Sequence, residues 1–185
     1  MQFKTAILAF TLAFTANGLP ASTAAAADST FGVIAIRSGS LVQNAGFQAA
    51  RSSLFVNLAS QNASCEDESN YATFYIEDEE LHLYTVSGLT QTVFVDRSGM
   101  GMGKVGYVNC TTQLGRNSET KGWAVGYGGN LEFQGIGFQA CPGSIDGGWS
   151  LWLQGVEKPG FNEGCLGVST NVLTTDEPIG CDYTT

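Results

Sequence analysis

Ala72-Thr73-Phe74-Tyr75-Ile76, Glu77-Asp78-Glu79-Glu80 and Leu81-His82-Leu83-Tyr84-Thr85-Val86 follow one another without a break, and they read as two strands joined by an acidic turn. Apolar and polar residues alternate in both arms, which is the period of a half-buried strand, and four charged residues between them suit only a solvated turn. The unit is a β-hairpin. Working outward, the same grammar recurs. Phe31 to Arg37 predicts a first strand, and Thr92 to Asp96 and Lys104 to Val108 flank the glycine-rich run Ser98-Gly99-Met100-Gly101-Met102-Gly103. Trp123 to Tyr127 and Leu131 to Gln134 predict a second hairpin over Gly128-Gly129-Asn130, and Trp149 to Leu153 a buried strand. Helical spacing occurs in one place, Phe47 to Leu58, where Phe47, Ala50, Leu54 and Leu58 would share a face.

The expected fold is therefore all-β. Strand-turn-strand units opening near Phe31, Ala72 and Trp123 give a coarse threefold rhythm, which suits a single closed antiparallel domain, β-trefoil-like or a small barrel, with a β-sandwich as the alternative. Twenty-four glycines and only 14% charged residues agree with a turn-rich β protein.

The N-terminus predicts export. Lys4, an apolar run from Ala6 to Phe14 and small residues from Pro20 to Ala27 form a secretory signal peptide over residues 1–24, with cleavage between 21 and 27. A single β-rich domain over residues 30–185 follows. The tail from Thr174 to Thr185 lacks the hydrophobic stretch of a GPI signal, so no membrane anchor is expected. The net charge of −9 includes Lys4 and becomes more negative on trimming, the wrong sign for a nucleic-acid or anionic-membrane binder.

In a secreted chain, the five cysteines Cys65, Cys110, Cys141, Cys165 and Cys181 predict disulfides, and the odd count leaves one thiol free or bonded to another molecule. Cys110 is the candidate odd thiol. Cys141 and Cys165 flank a tryptophan-bearing segment and Cys165 and Cys181 flank the acidic tail, so either pair could clip the last third of the chain. Two sequons, at Asn62 and Asn109, each abut a cysteine.

Side chains suited to catalysis are scarce. The sole histidine, His82, shares a strand face with Glu80 and Tyr84 opposite Leu81 and Leu83, so it is expected in solvent. No G-x-S-x-G elbow, HxxxH or CxxC motif occurs, and no cofactor or metal is expected. Paired carboxylates could still serve a glycosidase, with candidates among Glu77 to Glu80, Asp96, Glu132, Asp146 and Glu157. Asp96 ends a strand before the glycine loop and is better placed to accept turn N–H groups. Aromatic residues give the stronger hint. Alternation puts Trp149 with Leu151 and Leu153 in the core and Trp152 with Ser150 and Gln154 outside, making Trp152 the candidate sugar-stacking ring.

Several stretches together carry a resemblance: Phe31 to Ser40, Asn62-Ala63-Ser64-Cys65, Ala72 to Ile76, Phe94-Val95-Asp96-Arg97-Ser98-Gly99-Met100-Gly101, Leu131-Glu132-Phe133-Gln134-Gly135, Ala140-Cys141-Pro142 and Trp149-Ser150-Leu151-Trp152. Over essentially the whole mature chain the sequence resembles the phiA family of filamentous-fungal cell wall proteins. That resemblance implies a secreted, glycosylated, non-enzymatic wall protein used in phialide and conidium development and in stress protection. It also implies a glycan at Asn62 and disulfides among Cys65, Cys141, Cys165 and Cys181, with the pairing open. Cys110 departs from the pattern. A fainter similarity to the C-terminal domain of Pir wall proteins lies in Gly103 to Tyr107 and Gly122-Trp123, without the glucan-linking repeat. The partners expected are wall polysaccharide and a wall component disulfide-linked through Cys110, and the alternative function is a secreted carbohydrate-binding or glycan-active effector.

Overall fold

The computed structural model describes residues 29–185, so the signal peptide and its cleavage site lie outside the described residues. Fifteen strands follow in order: β1 (Thr30–Ile36), β2 (Ala45–Ala50), β3 (Ser53–Val56), β4 (Ser64–Cys65), β5 (Phe74–Glu77), β6 (Glu80–Leu83), β7 (Gln91–Asp96), β8 (Lys104–Asn109), β9 (Ser118–Glu119), β10 (Trp123–Val125), β11 (Leu131–Phe133), β12 (Phe138–Cys141), β13 (Trp149–Leu153), β14 (Leu166–Thr175) and β15 (Cys181–Asp182). Two short 3-10 turns are the only helical elements among the described residues.

Eleven strands form one antiparallel sheet that closes on itself. From β1 the pairing passes through β14, β12, β13, β3 and β2 and returns to β1. A second path leaves β1 at Phe31↔Phe74, runs through β5, β6, β7 and β8, and rejoins β3 at Ser53↔Gly106. Closure pairs edges that would otherwise template association. Strict alternation explains the strand faces: Phe31, Val33 and Ala35 point inward from β1, and Gln91, Val93 and Val95 from β7. They meet Phe47, Phe74, Leu151 and Leu153 in one continuous core, which Trp123 and Phe133 of the β10–β11 hairpin extend.

Phe47 to Leu58 is a β-hairpin, β2 and β3 turning at Arg51-Ser52, and no helix. The apparent helical face arises because both sides of this hairpin are covered. Leu54 and Val56 enter the main core, while Ala50, Phe55 and Leu58 form a second cluster with Ile145 behind them. With both faces apolar, the two-residue period disappears. The glycine loop behaves as expected: Ser98 N–H donates to Asp96 Oδ1 at 2.8 Å and Gly103 N–H to the Asp96 carbonyl at 2.8 Å. Gly101 lies so close to that carboxyl that a Cβ there would stand 2.0 Å from its carbon.

Two disulfides clip the fold, Cys65–Cys181 across the paired strands β4 and β15, and Cys141–Cys165 between the end of β12 and the approach to β14. Cys110 is free and exposed.

Candidate functional site

The outward face of the β5–β6 hairpin forms one wall of a groove. Phe74 is held in the core, so the next residue, Tyr75, must point outward, and the hairpin register sets it opposite His82. The two rings stack with centroids 5.0 Å apart and planes at 29°. Beneath the tyrosine, His82 Nδ1 lies 3.2 Å from Thr92 Oγ1. His82 is therefore only 5% exposed, where a solvated position was expected, because Tyr75 and β7 cover it. Burial pushes the His82 pKa down, and the carboxylates of Glu80 and Glu77 pull it partly back. Burial and then Glu77 push the Tyr75 phenol up.

Tyr75 and Glu77 share this groove with Thr30, Tyr84, Thr85, Gly88 and Thr90, around a cavity of about 340 Å³. A second cavity of about 560 Å³ adjoins it through the shared residues Thr30 and Tyr84 and continues along Thr174, Thr175, Asp176 and Pro178. The walls are fixed. Thr30 Oγ1 donates to the Thr175 carbonyl at 2.9 Å, joining β1 to β14 at the groove mouth. Tyr84 N–H donates to the Thr73 carbonyl at 2.8 Å, and the Tyr84 carbonyl accepts from Cys181 N–H at 3.1 Å. The loop from Thr85 to Thr90 is tied to the C-terminal segment where Ser87 N–H and Oγ both donate to Asp182 Oδ1, at 3.1 and 2.6 Å. Among the described residues neither cavity has a lysine or arginine in its lining, and each has one carboxylate, Glu77 or Asp176. Ring faces, hydroxyls and carboxylates in a rigid cleft suit a polyol or a sugar chain.

The expected stacking ring lies elsewhere and is covered. Trp152 is 7% exposed, its Nε1 donates to Ser150 Oγ at 2.9 Å, and the Pro159–Phe161 turn sits over it so closely that a Cβ on Gly160 would come within 2.5 Å of the indole. Trp149, expected in the core, is only partly buried. Trp149, Leu151 and Leu153 do face the main core as alternation assigns them, and only the opposite face departs from expectation, because the turn supplies apolar cover to Trp152 on the side assigned to solvent. The sequence signal for Tyr75 and Tyr84 is that the outward face of the hairpin carries three aromatic rings, Tyr75, His82 and Tyr84, beside Glu77 and Glu80.

Among the other sequence candidates, Asn62 is exposed at positive φ, with Ser60 Oγ donating to its Oδ1 at 3.2 Å. Asn109 is partly buried at the end of β8, and its Oδ1 accepts from Gln91 Nε2 at 2.9 Å. The two sequons are not brought together, and Cys110 stands beside the second. No cluster of three or more histidine, cysteine or carboxylate side chains suited to a metal occurs among the described residues.

Residues 31–184 match the family described as PhiA-like secreted protein. The chain is 48% identical to cell wall protein phiA of Aspergillus fumigatus over 187 residues, covering all of both chains. It is 47% identical to cell wall protein phiA of Aspergillus niger, covering all of this chain and 99% of the relative. With cell wall protein phiA of Emericella nidulans the identity is 46%, over 95% of this chain and 98% of the relative. No solved structure matches it.

Proposed function

The chain belongs to the PhiA-like secreted proteins, and from that premise we propose that it is a structural, non-enzymatic component of the fungal wall, held there by non-covalent contacts with wall polysaccharide and needed for phialide and conidium development and for stress protection. It is a secreted, cell wall protein, all-β and stapled by two disulfides. The observation that carries the reading is identity of 46–48% over 95% or more of this chain and 98% or more of three wall proteins.

The physical features that support it are those of a durable scaffold: a closed sheet, two cross-links and a groove of tyrosines and carboxylates. We assign residues 1–24 to the export leader and residues 30–185 to the working domain. A glycan at Asn62 fits its exposure, and one at Asn109 would attach through Nδ2, which leaves Oδ1 to accept from Gln91. Exposed Cys110 is available for a bond to a wall partner. Deleting the gene tests the reading: malformed phialides, a reduced conidial yield and restoration by the wild-type copy are expected, and normal sporulation overturns the developmental role. Hot detergent should release the protein from purified walls. A requirement for reductant would assign retention to Cys110.

A further inference from the structure

Building on the wall-binding reading, we propose that the groove between β5, the Tyr84–Thr90 segment and the end of β14 takes an amino-sugar polymer with free, protonated amines, as in deacetylated chitin. Charge decides between this and a neutral glucan. Glu77 lines one cavity and Asp176 the other, and among the described residues no basic side chain lines either. A neutral chain laid over these carboxylates would strip water from them without supplying a counter-charge, and an anionic one would be repelled, whereas ammonium groups offset both carboxylates. The excess of 17 acidic over 8 basic residues steers the same class of ligand toward the protein.

The aromatic residues add a second, independent reason. A tyrosine face attracts an ammonium group as well as the apolar face of a sugar ring, and Tyr75 is held in place by the His82 ring stacked on it. Its position is set before the ligand arrives, which lowers the ordering cost of binding. Tyr84, shared by both cavities, sits at their junction. Two adjoining cavities make a cleft for several linked residues of a chain. The threonines along it, Thr30, Thr85, Thr90, Thr174 and Thr175, bring hydroxyls to those of the sugars.

The test is depletion of the purified secreted protein by insoluble deacetylated chitin, chitin and β-1,3-glucan at mildly acidic pH, in low and high salt. Retention on the deacetylated polymer, lost in high salt, is expected. The double variant Glu77→Gln/Asp176→Asn should bind about tenfold more weakly, equivalent to about 1.4 kcal/mol. Asp67→Asn/Glu68→Gln removes the same charge from exposed residues that line neither cavity and should stay within about twofold of wild type, since exposed charges outside the cleft are screened. Tyr84→Ala should also weaken retention, with the thermal midpoint confirming that each variant is folded. Equal losses in both double variants would reduce the effect to bulk charge and overturn the groove. Salt-insensitive retention on β-1,3-glucan would overturn the amino-sugar ligand and leave wall binding intact. Failure on all three polymers would remove both.

Discussion

Gln91 and Tyr183 exchange two hydrogen bonds in the interior, as residues of neighbouring strands do. Gln91 Nε2 donates to the Tyr183 carbonyl at 2.9 Å, and the Tyr183 N–H donates to Gln91 Oε1 at 3.2 Å. A side-chain amide thus replaces a backbone where the C-terminal segment runs beyond β15. Gln48 treats Leu58 in the same way, at 2.7 and 2.6 Å. Gln91→Leu keeps the volume but leaves the backbone groups of Tyr183 without partners, so a loss of about 2–4 kcal/mol is expected. Chemical denaturation of wild type and variant checks it. Because Asp182 anchors Ser87, the same variant should loosen the groove wall and raise hydrogen exchange in the Thr85–Thr90 loop.

The disulfides should differ in worth. Cys65–Cys181 spans 116 residues and Cys141–Cys165 only 24. In the chain-entropy account these loops correspond to about 5 and about 3.5 kcal/mol. Cys65→Ala/Cys181→Ala should therefore lower the denaturation midpoint further than Cys141→Ala/Cys165→Ala, and it should also free β15 from β4. Equal midpoints for the two variants would contradict the assignment.

The β5–β6 turn carries Asp78 and Glu79 at φ 49° and 66°, left-handed angles that an Asn-Gly pair adopts at lower cost. Glu79 contributes its carbonyl, which accepts from the N–H groups of Gly122 and Trp123, and that contact survives replacement of the side chain. Asp78→Asn/Glu79→Gly should accordingly raise stability by about 0.5–1 kcal/mol, read as a higher thermal midpoint. An unchanged or lowered midpoint would show that the acidic side chains stabilise the turn by contacts of their own.

How far the fold was legible follows from how many faces each strand shows to solvent. β1 and β7 bury one face and read directly as alternation, and β6 reads the same way in sequence although Tyr75 and β7 also cover His82 on its outer face. The β2–β3 hairpin buries both and imitates a helix. β14 escaped because Ser169, Thr170, Asn171, Thr174 and Thr175 make it look like loop, although it pairs with β1 along its length and with β12 at its start. The groove was invisible for a different reason. Thr30, the Tyr75–Tyr84 hairpin and Asp176 lie far apart in the chain, and the β1–β14 and β1–β5 pairings bring them together. Trp152 misled because the cover comes from the Pro159–Phe161 turn, which no alternation along β13 reveals.

Stability should fall on both sides of neutral pH, and the titrating groups are buried rings. Burial holds the His82 pKa below its ordinary value, against the pull of Glu80 and Glu77, while the unfolded chain binds that proton near 6.5. Between the folded value and about 6.5 the unfolded state therefore carries more protons, so stability declines as pH drops through that window and levels off below it. On the alkaline side, burial pushes Tyr183 up to about 12 and Tyr107 higher still. The Tyr183 phenol oxygen accepts from Thr73 N–H and the Tyr107 hydroxyl donates to the Thr184 carbonyl, and burial keeps both rings protonated while the fold holds. Unfolded tyrosines ionise near 10, hence stability should fall as pH rises from about 10, with the fold lost as phenolate absorbance grows. Thermal midpoints across the pH range, with tyrosine absorbance recorded alongside, check both limbs. His82→Gln should flatten the acid limb and leave the alkaline one unchanged. An acid limb that persists in that variant would assign it to carboxylates.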